Sequence, residues 1–167
     1  MGLRHTKMTI LLISTIIGIS ALAYSQFTLT NVEHFVRWRF VTVPQLSTSQ
    51  LADWLDDNER GPPVLLDVRT REEYEVSHLA GARWVDPDTD PNELLRQLDT
   101  NQDVVMYCAV GYRSSKLAAK LIRSGHQQVW NLEGSIFAWA KEHRPLVNDG
   151  KPTTDVHRVN KLYALLR

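Results

Sequence analysis

Short continuous apolar runs alternate along this chain with longer stretches in which apolar residues recur every three or four positions. The runs Val64 to Val68, Asp103 to Tyr107 and Val129 to Leu132 suit strands buried on both faces. Phe40 to Val43 and Arg83 to Val85 read as two shorter strands. Between them, Leu51, Trp54 and Leu55 stripe a helix over 48–58 that Ser47 and Gln50 open as a capping box, with Leu46 and Leu51 as its hydrophobic staple. Thr70 and Glu73 form a second capping box, starting a short helix just after Arg69 that carries Tyr74. Asp90, Pro91 and Glu93 mark a third helix start, ahead of Leu94, Leu95 and Leu98. Leu117, Ala118, Leu121 and Ile122 stripe a helix over 114–124 that Gly125 closes in a left-handed cap. A last helix bears Ile136, Phe137 and Trp139.

Strands that alternate with helices imply right-handed crossovers and a mostly parallel sheet covered by helices on both faces. In such α/β sheets ligands sit beyond the carboxyl ends of the strands. Asp67 ends one strand and Cys108 follows another, so this topology brings Asp67, Arg69 and the loop after Cys108 to one edge.

The two ends of the chain break the alternation. Arg4, His5 and Lys7 precede an apolar stretch from Ile10 to Ala23, and Ala21-Leu22-Ala23 offers small residues for a signal peptidase. Residues 1–23 are therefore expected to be a signal peptide cleaved after Ala23. The rival reading is an uncleaved membrane tether through residues 8–29, which carry no charge. Both readings place the rest of the protein outside the cytoplasm, in a periplasmic or comparable space. Residues 24–39 read as a linker with a short helix opened by Thr30 and Glu33 and carrying Val32, Phe35 and Val36; 40–143 are the expected domain. Residues 144–167 begin with a turn-rich surface strap (Pro145, Asn148, Asp149, Gly150, Pro152) and end in an amphipathic helix bearing Val156, Val159, Leu162, Tyr163 and Leu166.

At 167 residues the chain has the length of one domain with appendages. Nineteen Lys and Arg balance nineteen Asp and Glu, so there is no net field to attract nucleic acid, and none is expected as a partner. With one cysteine there is no internal disulfide, and the six histidines show no metal-ligand spacing with it; neither metal nor other cofactor is expected.

That cysteine opens Cys108-Ala109-Val110-Gly111-Tyr112-Arg113, wedged between a strand and a helix. A lone cysteine at a strand end is by itself most often a small core hydrophobe. Its neighbours change the balance. Gly111 permits backbone angles that other residues avoid, and Ser114 can cap the following helix, so successive N–H groups can point into one concavity. The helix N-terminus and Arg113 both favour the thiolate, and in such settings thiol pKa values fall from about 8.5 to roughly 3.5–7.5. A thiolate at neutral pH is what a nucleophile requires. Asp67 and Arg69 carry two readings: pairing with each other or capping the next helix, against orienting the loop or attracting an anionic donor. Glu73 and His78 read as structural, and Trp139 as core.

The blocks Leu65-Leu66-Asp67-Val68-Arg69, Glu72-Glu73-Tyr74, His78-Leu79-Ala80-Gly81-Ala82, Val105 to Ser114, Leu132-Glu133-Gly134 and Ala138-Trp139, in this order and spacing, resemble a single-domain rhodanese. The resemblance covers residues 40–143. It implies a five-stranded, mostly parallel sheet wrapped by helices, and it implies sulfur transfer. Cys108 would attack the sulfane sulfur of a small donor (thiosulfate, polysulfide or persulfide) and hold it as a persulfide for an external acceptor. Backbone N–H groups of Ala109, Val110, Gly111, Tyr112 and Arg113 would stabilise the added sulfur's charge, with Ser114, Asp67 and Arg69 around them. Related phosphatases have one more residue between cysteine and arginine; the shorter loop here favours sulfur over phosphate.

The chain departs from the family pattern in having Ser77-His78 for Gly-His and Glu133-Gly134 for Gly-Gly. Ala109 and Val110 also put no charge beside Cys108, so thiosulfate is expected to be a poor donor. Lacking a second thiol, the chain cannot discharge a persulfide through an internal disulfide; an external thiol, cyanide or a protein must accept the sulfur. The alternative is a rhodanese module without catalysis, used for partner binding or sulfur sensing.

Overall fold

The structure, a computed structural model, describes residues 29–99 and 101–157. The expected signal or tether and most of the expected C-terminal helix lie outside the described residues. Five short strands, β1 (Gln45–Leu46), β2 (Val64–Asp67), β3 (Arg83–Trp84), β4 (Val104–Tyr107) and β5 (Val129–Leu132), form one sheet in the order β1-β5-β4-β2-β3. Every pairing in it is parallel, as the alternating pattern requires.

Helices cover both faces: α1 (29–39), α2 (Thr48–Asp56), α3 (Arg71–Val76), α4 (Pro91–Leu95), α5 (Tyr112–Arg123) and α6 (Ser135–Lys141). The period of two along the central strands sorts their side chains into two cores. Leu66, Val104 and Met106 pack with Leu94 of α4, with Leu117 and Leu121 of α5, and with Val36 of α1. Leu65, Val105 and Tyr107 pack on the other side with Leu51 and Trp54 of α2 and Ile136 and Trp139 of α6.

The helix starts follow their caps. Ser47 and Thr70 each accept from the N3 backbone while Gln50 and Glu73 reach back, closing two capping boxes; Asp90 caps α4, with Pro91 in its first turn. Ser114 is not a cap. Gly111 is the N-cap of α5 at φ +98°, and Ser114 lies inside the helix, its hydroxyl reaching Asn131 and not the free N–H groups of the first turn.

Two other expectations need correction. Phe40 to Val43 is a turn and not a strand: Phe40 N–H still donates to Val36 O, and the apolar residues serve the core from the trailing end of α1. Residues 144–155 are more than a strap. Asp149 and Gly150, both at positive φ, turn a hairpin of β6 (Leu146–Asn148) and β7 (Lys151–Thr153), which a mutual bridge between Val147 and His78 fastens to the domain.

Candidate active site

At the carboxyl edge of the sheet, β4 runs directly into Cys108, and the loop 108–111 turns into the first residues of α5. Its carbonyls are tied down by α6. The N–H groups of Ile136 and Phe137, in the first turn of that helix, donate to Cys108 O and Ala109 O at 3.2 Å each. Cys108 N–H donates to the Ser135 hydroxyl (3.2 Å), which donates on to Leu132 O (3.0 Å). Ser135 holds this position at a left-handed φ of +52°, a conformation that costs a non-glycine residue about 1–3 kcal/mol. Ser114 donates to Asn131 (2.6 Å), and Asn131 donates to Gln45 (2.7 Å), so α5, β5 and β1 are linked behind the loop.

With its carbonyls occupied, the loop turns N–H groups inward. Gly111 N–H lies 3.2 Å from Cys108 Sγ, and a Cβ on Gly111 would meet Asn131 Nδ2 at 3.1 Å, so the turn admits no larger residue without strain. Burial pushes the Cys108 thiol up. The Arg113 charge, the Ser114 hydroxyl and the backbone N–H groups of Ser114 and Val110 outweigh it, and the thiol is held below its ordinary value.

Arg113 is itself positioned by Glu73. Its two terminal nitrogens donate to the two carboxylate oxygens at 2.7 and 2.9 Å in a buried pair. Sequence reasoning missed this role of Glu73, because the residue was already accounted for as the capping partner of Thr70. It does both: one oxygen accepts from Thr70 N–H at 3.0 Å. Ser135 and Asn131 were also missed, and only their places just after and within a strand hinted at them.

Asp67 and Arg69 reach the same edge but bond to each other. The guanidinium of Arg69 lies on both Asp67 oxygens (2.6–3.0 Å) and also donates to Ser77 O, with both residues inaccessible to solvent. Buried this way, Arg69 has no face open to an anionic donor, so attraction of a donor by Arg69 is not supported, and mutual pairing describes both residues. Ala109 and Val110 are buried under Leu29 and Val32 of α1 and Phe137 of α6, and Tyr112, partly buried, packs against Phe35 and Phe40. Among the described residues, no group of three His, Cys, Asp or Glu could hold a metal ion.

The site is thus a thiol held below its ordinary value at a helix N-terminus, with backbone donors and Arg113 beside it. The family model described as the Rhodanese-like domain matches residues 47–142. The chain belongs to the rhodanese-like domain family.

Among its curated relatives, the probable adenylyltransferase/sulfurtransferase MoeZ of Mycobacterium tuberculosis is 32% identical over 101 residues, 60% of this chain and 25% of that protein. The tRNA uridine(34) hydroxylase of Cronobacter sakazakii is 33% identical over 104 residues, 59% of this chain and 29% of that protein. The chain therefore spans under a third of the length of these relatives. A crystal structure of a rhodanese-like domain protein from Staphylococcus aureus superposes with a TM-score of 0.53 at 29% identity, covering 65% of this chain and 95% of that one. The five-stranded parallel sheet flanked by helices is this family's fold. The family match ends short of α1, which precedes residue 47.

Proposed function

We propose that this rhodanese-like domain is a sulfurtransferase, moving a sulfane sulfur from a small donor through a Cys108 persulfide to an external thiol, cyanide or protein acceptor. The observation that carries this reading is the environment of one sulfur. The Cys108 thiol is lowered by Arg113 and faces the Gly111 N–H at 3.2 Å, in a loop with four residues between cysteine and arginine. In the forward step the thiolate attacks the donor's outer sulfur, a Cys108 S–S bond forms, and the donor's own S–S bond breaks with its electron pair leaving on the departing group. In the second step an acceptor nucleophile takes that outer sulfur and the electron pair returns to Cys108. Donors on the ring around Cys108 would stabilise the negative outer sulfur in between, as an oxyanion hole stabilises oxygen. A relative named as a probable sulfurtransferase agrees with this direction.

The test offers thiosulfate, polysulfide and glutathione persulfide to the protein, followed by intact-mass spectrometry and a thiocyanate assay with cyanide as acceptor. One added sulfur on the wild type and none on Cys108→Ala is the expected result. No adduct and no thiocyanate with any donor would refute the reading.

A second reading, a partner-binding module without catalysis, is favoured by the complete burial of Cys108. The same assay separates the two. We further propose export through residues 1–23, with retention by residues 8–29 as the alternative. Edman sequencing of the protein from its native cell decides between a new N-terminus after Ala23 and an intact one on the membrane fraction.

A further inference from the structure

Cys108 and Ala109 have no exposed surface and Val110 has 7%, which is unusual for a group that must meet a substrate. The cover is α1. Leu29 and Val32 lie on Ala109 and Val110, the two uncharged residues that follow the nucleophile. Phe35 stacks on Tyr112, the first residue of α5, with ring centroids 6.2 Å apart and planes within 9°. Glu33 sits against the turn leading to Ser135, so close that a Cβ on Gly134 would stand 2.6 Å from Glu33 Oε1. Arg37 pairs with Glu133 through two nitrogens. Contacts from one helix thus reach both the segment after Cys108 and the turn into α6. The family match does not include this helix.

The rim that α1 brings is apolar, with paired charges at its edge. Glu33 and Glu133 flank the turn before Ser135, Arg37 is engaged by Glu133, and Arg113 is engaged by Glu73. On this side the loop lies under apolar side chains, and the Glu33 carboxylate feels the charges of Lys141, Arg37 and His34.

We propose that α1 determines donor specificity in this domain: seated on the loop, it bars small free anions from Cys108, and the Arg37–Glu133 pair with the Leu29 and Val32 contacts sets how often it lifts. Where the site works as a sulfurtransferase, on which the donor preference rests, thiosulfate is poor because of this helix as well as the neutral loop. The apolar Ala109 and Val110 are then the seat of the helix. Their lack of charge has a packing reason.

Access can be read without any sulfur chemistry. The full chain is alkylated at Cys108 with neutral iodoacetamide and anionic iodoacetate, in Arg37→Ala, Leu29→Ala, Glu33→Gln and an Arg60→Ala control, whose ion pair with Asp103 lies at the opposite end of the sheet. Losing the exposed ion pair should speed iodoacetamide by about two- to five-fold, and losing the Leu29 contact by about ten-fold. Glu33→Gln should narrow the preference for iodoacetamide over iodoacetate, and Arg60→Ala should change nothing. Thiosulfate kcat/KM should rise in Arg37→Ala and Leu29→Ala in the same order. Equal rates across all variants would overturn the proposal. So would acceleration that follows the urea dependence of global unfolding, since that places the opening in the whole domain and not in α1. Faster alkylation with no persulfide from any donor would leave the gate standing and remove the sulfurtransferase reading.

Discussion

Arg113 and Glu73 hold each other in a buried pair, and Arg113 in turn favours the Cys108 thiolate. The cation draws Cys108 toward its thiolate, and the carboxylate behind it offsets part of that pull. Replacing Arg113 by Gln should therefore raise the pH midpoint of Cys108 alkylation, and replacing Glu73 by Gln should lower it. A shift of both midpoints in the same direction would mean that the pair acts through loop geometry and not through charge. Arg113→Gln should also cost about 3–5 kcal/mol of stability, because it strands a carboxylate in the interior. Glu73 makes a separate prediction for acid. Burial raises its carboxyl, but the Arg113 and Thr70 hydrogen bonds prevail and leave it below the ordinary carboxylate value. A depressed carboxylate stabilises the fold at pH above its unfolded pKa of about 4.3, and that stabilisation is lost as pH falls through the lower folded value. Urea midpoints measured from pH 6 down to pH 3 should fall steeply in the wild type and more shallowly in Glu73→Gln.

The loop works as a unit of backbone, and Gly111 is its pivot. At φ +98°, with Asn131 3.1 Å from where a Cβ would sit, Gly111→Ala should cost about 1–2 kcal/mol and displace the N–H that faces Cys108. The expected readout is a lower urea midpoint together with a raised thiol midpoint; a raised thiol midpoint without loss of stability would show the turn to be unstrained. How far such elements could be foreseen depended on how local their causes are. The capping boxes at Ser47 and Thr70, the proline start of α4 and the apolar stripe of α5 are written within a few residues, and each helix lies where its pattern puts it. The strand periods likewise brought Cys108 and Asp67 to one edge. Glu73 is different, because its partner lies forty residues away and only the folded sheet joins them. Phe40 and Val43 misled for a related reason. An apolar pair in a turn looks like a strand until the core it fills is known. Asp149-Gly150, by contrast, is a local hairpin signal that the density of turn residues around it concealed.

Seen across the molecule, the described chain before residue 44 is built into the domain. Val36, Phe40 and Val43 are buried with the strands and α5 in one of the two cores, while Leu29 and Val32 pack on Ala109 and Val110. Both jobs fall to one stretch of chain, so they can be separated by where the protein is cut. A protein beginning at residue 29 keeps all of these contacts and should unfold at the wild-type urea midpoint. One beginning at residue 44 loses three buried apolar side chains, worth about 1.5–3 kcal/mol each, and should lose about 4–9 kcal/mol, much of a domain's usual margin. If the shorter protein unfolded at the same midpoint, α1 would be an appendage laid on a finished core. If it is destabilised as expected, the helix that packs on Ala109 and Val110 cannot leave the domain altogether, because its trailing end is held by Val36, Phe40 and Val43. Opening would then be a hinge at that end, lifting Leu29 and Val32 while the core stays closed. Hydrogen exchange gives the corresponding profile: amides near Val32 should exchange well before those near Phe40, and equal protection along the helix would exclude a hinge.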